Sequence, residues 1–371
     1  MEKDQPLELS EEEKKELLLG LFREWWLAAT QTLVDQLGSS KALQLLAPGF
    51  RHHGRAGYKI LAKSLGREED DIGSIALFEC FAKTMMSGTP AYVEHREDGV
   101  IWKIEGCRTG GVCREACLSY CYNSGIGILE NCSQDMEYSI HESLSQGDRR
   151  CLASIEKEGH GLPSGRVIRS YTPETSPIDE HEWDFWSKAG MGEVWAITTR
   201  AVVEGLGSEE AMLALRPHMQ KSGISLGNRM KEDLAERGAE DHAFKAIALI
   251  QGCFGMEGEW ATSGTSGEIF TCPFSGGSIE MCRQFETFMS GLCSAIDSSS
   301  KFAYDRMMTK GDKTCHWTIR KKGEPAKEKP KEEGASDDPI KMLTTMYIKG
   351  EITEEELEKK VAHLRKLGLV R

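Results

Sequence analysis

The chain has 371 residues, a net charge of −13 and 12 cysteines, with 39% apolar and 28% charged side chains. Those fractions are those of a soluble globular protein of two or three domains. The acidic balance excludes a general nucleic-acid surface, which needs Lys and Arg against phosphate. No run approaches the roughly 18 unbroken apolar residues of a membrane-spanning helix. The N-terminus MEKDQPLELSEEEKK is too acidic and polar for a signal peptide. A cytoplasmic location is therefore expected, with neither nucleic acid nor membrane as partner. In that compartment thiols stay reduced, so metal binding, reactivity or burial outrank disulfides.

In chain order, 10–36 reads as a helix. Ser10 and Glu13 form a capping box, apolar residues recur with helical period, and Gly38 closes the element. Ser39 opens a second helix that should stop near Pro48-Gly49, and a third covers 70–86. Short β-rich runs at 91–95 and 100–104 flank Glu-Asp-Gly, a hairpin signal. A Cys-rich helix follows at 112–123, then strands at 135–145 and 150–156. The order then recurs. Helices are expected at 186–205, 209–221 and 239–254, strands at 257–262 and 267–271, a helix from Cys282 to 295, and strands at 301–308 and 314–320. Helices followed by a mostly antiparallel sheet is an α+β pattern.

The recurrence extends to residues. Trp26 aligns with Trp195, Leu37-Gly38-Ser39 with Leu206-Gly207-Ser208, Pro48 with Pro217 and Gly54 with Gly223. Cys107 and Cys117 match Cys272 and Cys282, and Gly147-Asp148-x-x-Cys151 matches Gly311-Asp312-x-x-Cys315. Cys80-Phe81 on Cys253-Phe254 is a weaker anchor. The expected organisation is two tandem α+β copies, 1–157 and 186–322, each burying its own core, around a Gly/Pro/Ser-rich linker at 158–185. A charged linker at 323–337 leads to a helical hairpin at 338–371. That hairpin is capped at Asp338-Pro339 and again at Thr353 and Glu356.

Cys113, Cys117 and Cys121 are spaced i, i+4, i+8 and would share one face of a helix, with Cys107 upstream and Cys151 on a neighbouring strand. Such thiolates suit zinc or an iron–sulfur cluster, although the paired C-x-x-C knuckles of a zinc ribbon are missing. The same residues serve equally as small buried fillers of a helix–sheet interface. A catalytic thiol is the third reading, with Cys117, Cys151, Cys282 and Cys315 as candidates. His52 and His53 follow Pro48-Gly49, where a polar loop would cover a ligand. Trp26 and Trp195 are either core aromatics or ligand clamps.

The segment from Asp338-Pro339-Ile340 through Lys349-Gly350-Glu351-Ile352-Thr353 to Leu357 resembles the short C-terminal domain family called SHOCT, which implies self-association or a protein partner. The repeated unit, through Thr271-Cys272-Pro273-Phe274, Cys282 and Gly311-Asp312-x-x-Cys315, resembles the L-2-amino-thiazoline-4-carboxylic acid hydrolase family and the related 4-vinyl reductase domain. That resemblance implies binding of a small molecule or metal. Its enzymatic alternative is hydrolysis of a C–N or C–S bond in a cysteine-derived heterocycle. A sensor-like binding protein is the first functional expectation, the hydrolase the second, and an oligomeric scaffold the third.

Overall fold

Ser10 opens the first helix as its sequence demands. Its hydroxyl accepts the Glu13 N–H at 3.3 Å, and the Glu13 carboxylate accepts the Ser10 N–H at 2.8 Å. Helix α1 (Glu11–Leu37) ends at Gly38, whose φ of +79° suits glycine and whose N–H donates to the Val34 carbonyl. A computed structural model describes residues 9–66, 72–109, 112–131, 135–157, 161–236, 242–261 and 265–321. The charged linker and the C-terminal hairpin lie outside the described residues.

Helix α2 (Ser39–Ser64) does not stop at Pro48. An interior proline removes one backbone bond and crowds the preceding turn, at roughly 3 kcal/mol. Beyond it, Phe50, His53, Gly54, Tyr58 and Leu61 are all buried, and that burial outweighs the cost. Helix α3 (Ile72–Ser87) leads into the hairpin β1 (Ala91–Arg96) and β2 (Gly99–Ile104). The Cys-rich segment is α4 (Arg114–Cys117), a π-helical turn (Leu118–Tyr122) and α5 (Asn123–Leu129). Strands β3 (Met136–Glu142) and β4 (Cys151–Lys157) follow. A further strand, β5 (Val167–Tyr171), lies inside the expected linker and pairs with β1. The linker's Gly and Pro density masked it.

The second half runs α6 (Glu180–Leu206), α7 (Ser208–Glu236, continuing past Pro217), α8 (His242–Cys253), β6 (Glu257–Trp260), β7 (Ser266–Thr271), α9 (Ile279–Ile296), β8 (Ser300–Arg306) and β9 (Cys315–Lys321). The architecture is α+β with two antiparallel sheets. Their strand orders are β3-β4-β2-β1-β5 and β6-β7-β9-β8. Read from the opposite end, the second is the first without β5. Register agrees too: Ile104 faces Cys151 and Ile269 faces Cys315, and both sheets carry an irregularity, at Ile140/Glu142 and at Tyr304/Arg306.

Two details correct the expected alignment. Gly88 and Gly255 close α3 and α8 with φ of +66° and +69°. Strand register pairs Ala91 with Ile104 and Gly258 with Ile269, so Cys80 stands where Ile247 does and the Cys80/Cys253 anchor fails. Cys117 and Cys282 are 165 residues apart but Cys151 and Cys315 only 164. The extra residue of the first half is taken up in the π-turn, where the second half has unbroken α9. A Cβ on Gly54 would overlap the Ser124 carbonyl oxygen, and one on Gly223 that of Phe288, a pair also 164 apart.

The halves do not keep separate cores. The described residues, 9 to 321, belong to one compact unit. Trp25 of the first half packs on Trp195, Phe288 and Phe254 of the second, at centroid distances of 4.9, 5.1 and 5.8 Å. Its indole N–H donates to Ser222 at 3.4 Å. No helix among the described residues is long and apolar enough to cross a membrane.

Candidate functional site

The Gly-Asp-x-x-Cys segments build the same cradle twice. Gly147 and Gly311 end short 3-10 turns with φ of +95° and +92°. Asp148 Oδ2 accepts the Ser143 N–H and Asp312 Oδ2 the Met307 N–H, both at 2.7 Å. The sulfur of Cys151 accepts the Leu144 N–H at 3.4 Å, and that of Cys315 the Met308 N–H at 3.2 Å. Beside them Thr309 donates to Cys282 at 3.2 Å, and Cys117 donates to the Thr109 carbonyl at 3.9 Å. The aspartates hold the backbone turn, and the turn aims the thiols inward.

In the first half Cys107, Cys117, Cys121 and Cys151 act on one another electrostatically. Burial pushes the Cys117 thiol far up and that of Cys121 to about 12. Cys113 is not among them. It is the extended N-cap of α4, beside Glu115 at 4.0 Å. The i, i+4, i+8 stripe fails because the helix begins only after Cys113 and the π-turn then alters the periodicity.

Cys121 leads from the thiols to a group of residues with no counterpart in the sequence-based expectations. Glu79 and Lys83, one turn apart on α3, are 0% and 1% exposed and form an ion pair at 3.2 Å. The Lys83 ammonium faces the rings of Trp102, Tyr120 and Tyr138, 5.1, 5.5 and 5.7 Å from their centroids. Trp26 packs edge-on against Tyr120. The Tyr120 hydroxyl faces Ser124, and that of Tyr138 faces Trp102, yet neither pair closes to a hydrogen bond of ordinary geometry. The N–H groups of Trp26 and Trp102 and the hydroxyls of Tyr120, Ser124 and Tyr138 are therefore buried donors without a partner. Most such atoms among the described residues lie in this cluster, with Thr30, Glu156, Ser187, Gln251 and Trp317 supplying the rest.

The second half carries apolar groups at most of the matching positions. Register and the glycine pairs place Ala246 and Ile250 at Glu79 and Lys83, Phe285 at Tyr120, Phe288 at Ser124 and Phe302 at Tyr138. Gly267 replaces Trp102, and Trp317 reaches in from the next strand, where the first half has Ala153. Trp195, the partner of Trp26, satisfies its N–H on Gln284 at 2.9 Å. Beside the second half's thiols lies a pocket of about 20 Å³ lined by Cys272, Cys282, Cys315, Met256, Met281 and Met307 among others, about the room of one water.

The remaining candidates scatter. His52 is exposed. His53 is buried and its Nδ1 meets Glu193 of the second half at 2.7 Å, because α2 continues as a helix here and forms no loop. His316 points away from the thiols, to Asp305 at 3.1 Å, as alternation along a strand requires. The helix period hid the buried cluster: Glu79-x-x-x-Lys83 reads as an ordinary surface pair. The signal that would have found it is the apolar residues on every side of α3.

Among the described residues, no group of three or more His, Cys, Asp or Glu side chains is placed to hold a metal ion. The Cys107 and Cys117 thiols meet Thr109, and the Cys151 sulfur accepts the Leu144 N–H. No protein-family model matches the chain, and neither a curated protein nor a solved structure matches it.

Proposed function

We propose that this protein binds a small molecule inside its first half, at the buried polar cluster around Lys83 and Glu79. The second half carries apolar residues at most of the matching positions. One observation carries the reading. A sealed ion pair lies among buried polar groups, with Tyr120 facing Ser124 and Tyr138 facing Trp102, while most of the matching positions of the second half are apolar. Each unpaired buried group costs about 1–3 kcal/mol, against a total stability of about 5–15 kcal/mol for a typical domain. The resemblance to the hydrolase and 4-vinyl reductase group supports the same reading.

The test compares the full chain with a variant carrying the second half's residues, Glu79→Ala, Lys83→Ile and Tyr138→Phe. Native mass spectrometry and melting in the presence of a metabolite library are the readouts. The natural chain should retain or be stabilised by a small molecule. The variant should melt cooperatively and respond to none. If both behave alike, the reading fails.

A further inference from the structure

A cleft of about 170 Å³ lies where α1, the turn between α3 and β1, Arg108 and the start of α6 meet, at the seam of the two halves. No residue of the Lys83 cluster described above lines it. Its volume is a little above the roughly 150 Å³ that holds one benzene. At its floor Arg23 is only 8% exposed. Arg23 Nε and Nη2 donate to the Met85 carbonyl at 3.3 and 3.1 Å, in the last turn of α3, while Nη1 has no partner among the described residues. A helix C-terminus offers only about half a negative charge, and among the described residues no carboxylate pairs with Arg23. Glu16 leans to Arg108 instead, in a loose, exposed contact at 4.0 Å. Arg108 is itself a second cation beside the first. A Cβ on Gly88 would sit 2.8 Å from Arg23 Cζ and 3.0 Å from Arg108 Cδ, so the bare glycine lets both side chains lie over one turn. Burial and the like charge of Arg108 both push the Arg23 guanidinium down. Ser187, buried on α6, also lines the cleft, and its hydroxyl has no partner among the described residues.

Charge and shape together select a ligand. Lys15, Arg23 and Arg108 line the cleft against Glu12 and Glu16, so one negative charge balances it. A guanidinium matches a carboxylate through two parallel N–H bonds. A phosphate ester would bring about 1.5–2 negative charges where one is compensated. Leu19, Met85 and Trp183 supply an apolar wall beside the cations. We propose that this cleft binds a small monocarboxylate, its carboxylate held by Arg23 and Arg108 and its apolar body, about the size of one ring, against Leu19 and Trp183. The second half has Gly192 at the position of Arg23 and Pro273 at that of Arg108, so one site per chain is expected. The site is additional to the Lys83 cluster and does not depend on it.

The experiment is titration calorimetry of the full chain with benzoate, its neutral counterpart benzamide, and inorganic phosphate. The expected result is one benzoate per chain, with benzamide and phosphate each at least about tenfold weaker. Arg108→Gln changes an exposed side chain, so it should melt as the natural chain does while weakening benzoate about tenfold. Arg23→Met should lose benzoate binding, and if that variant does not fold, Arg108→Gln decides. The variant with Glu79→Ala, Lys83→Ile and Tyr138→Phe should bind benzoate as the natural chain does. Failure of benzoate to bind, equal affinity for benzamide, tighter binding of phosphate, or unchanged affinity in Arg108→Gln overturns the proposal. Loss of benzoate from the folded triple variant would put the anion at the Lys83 cluster, which overturns this inference and leaves the earlier reading standing. Benzoate held through Arg108 in a chain whose Lys83 cluster binds nothing would do the reverse.

Discussion

His53 and Glu193 meet across the two halves at 2.7 Å, and 169 residues away from each, Ser222 and Glu24 meet at 3.1 Å. The contact is the same one made twice, as in a two-fold symmetric dimer where residue i touches j and j touches i. The two halves therefore associate through one self-complementary surface, within a single chain. On the His53 side the carboxylate of Glu193 lies below its ordinary range. Burial pushes it up, but the His53 hydrogen bond and the charges of His53, His52 and Arg200 outweigh that. A carboxylate held low in the folded state stabilises above its unfolded pKa, near 4.5, and that stability is lost as pH falls through the folded value. Glu193→Gln should cost about 1 kcal/mol at pH 7, the Glu193 side chain being 41% exposed. It should also flatten the acid limb of the stability curve below about pH 4.5. Urea midpoints measured from pH 3 to 7 check both.

Trp25 of the first half packs against aromatic residues of the second in their shared core. Trp25→Ala should cost about 3–5 kcal/mol, as for other buried large-to-small changes. Because its neighbours Trp195, Phe254 and Phe288 belong to the other half, both halves should still unfold together. Urea curves followed by tryptophan fluorescence and far-ultraviolet dichroism should coincide. Two separated transitions in the natural chain would show independent domains instead.

Gly54 and Gly223 admit the backbones of α5 and α9 against α2 and α7. A methyl group at either would overlap a carbonyl oxygen, and backbone moves aside less easily than a side-chain tip. Gly54→Ala and Gly223→Ala should each destabilise by about 1–3 kcal/mol. Gly20→Ala, which meets nothing within 4 Å, should be neutral or slightly stabilising through helix propensity. Thermal melts of the three variants compare them directly.

Burial pushes Cys121 and Cys272 each up to about 12, so their thiolate populations at pH 8 are very small. Iodoacetamide should label both at least ~100-fold more slowly in the native chain than in the denatured one. Peptide mass spectrometry at timed intervals gives the two rates for each residue. Equal native and denatured rates would show the thiols to be open.

The α+β order and the repeated residues were determined by local signals. Capping at Ser10, the positive-φ glycines at Gly38 and Gly207 and the Gly-Asp-x-x-Cys turns need only nearby chain, so they can be read without a fold. Even the one-residue mismatch between Cys117/Cys282 and Cys151/Cys315 was present in the numbering, although only the π-turn showed where it is absorbed. Tertiary structure alone decided the rest. Pro48 sits inside a helix because burial beyond it outweighs a lost hydrogen bond. β5 exists because β1 offers it an open edge. Cys113 leaves the thiol cluster because the helix starts one residue too late to include it. Lys83 and Glu79 illustrate the physical reason most directly. Spacing on a helix says that two charges face one another, but whether water or aromatic rings surround them depends on β2, β3 and the π-turn, all far along the chain.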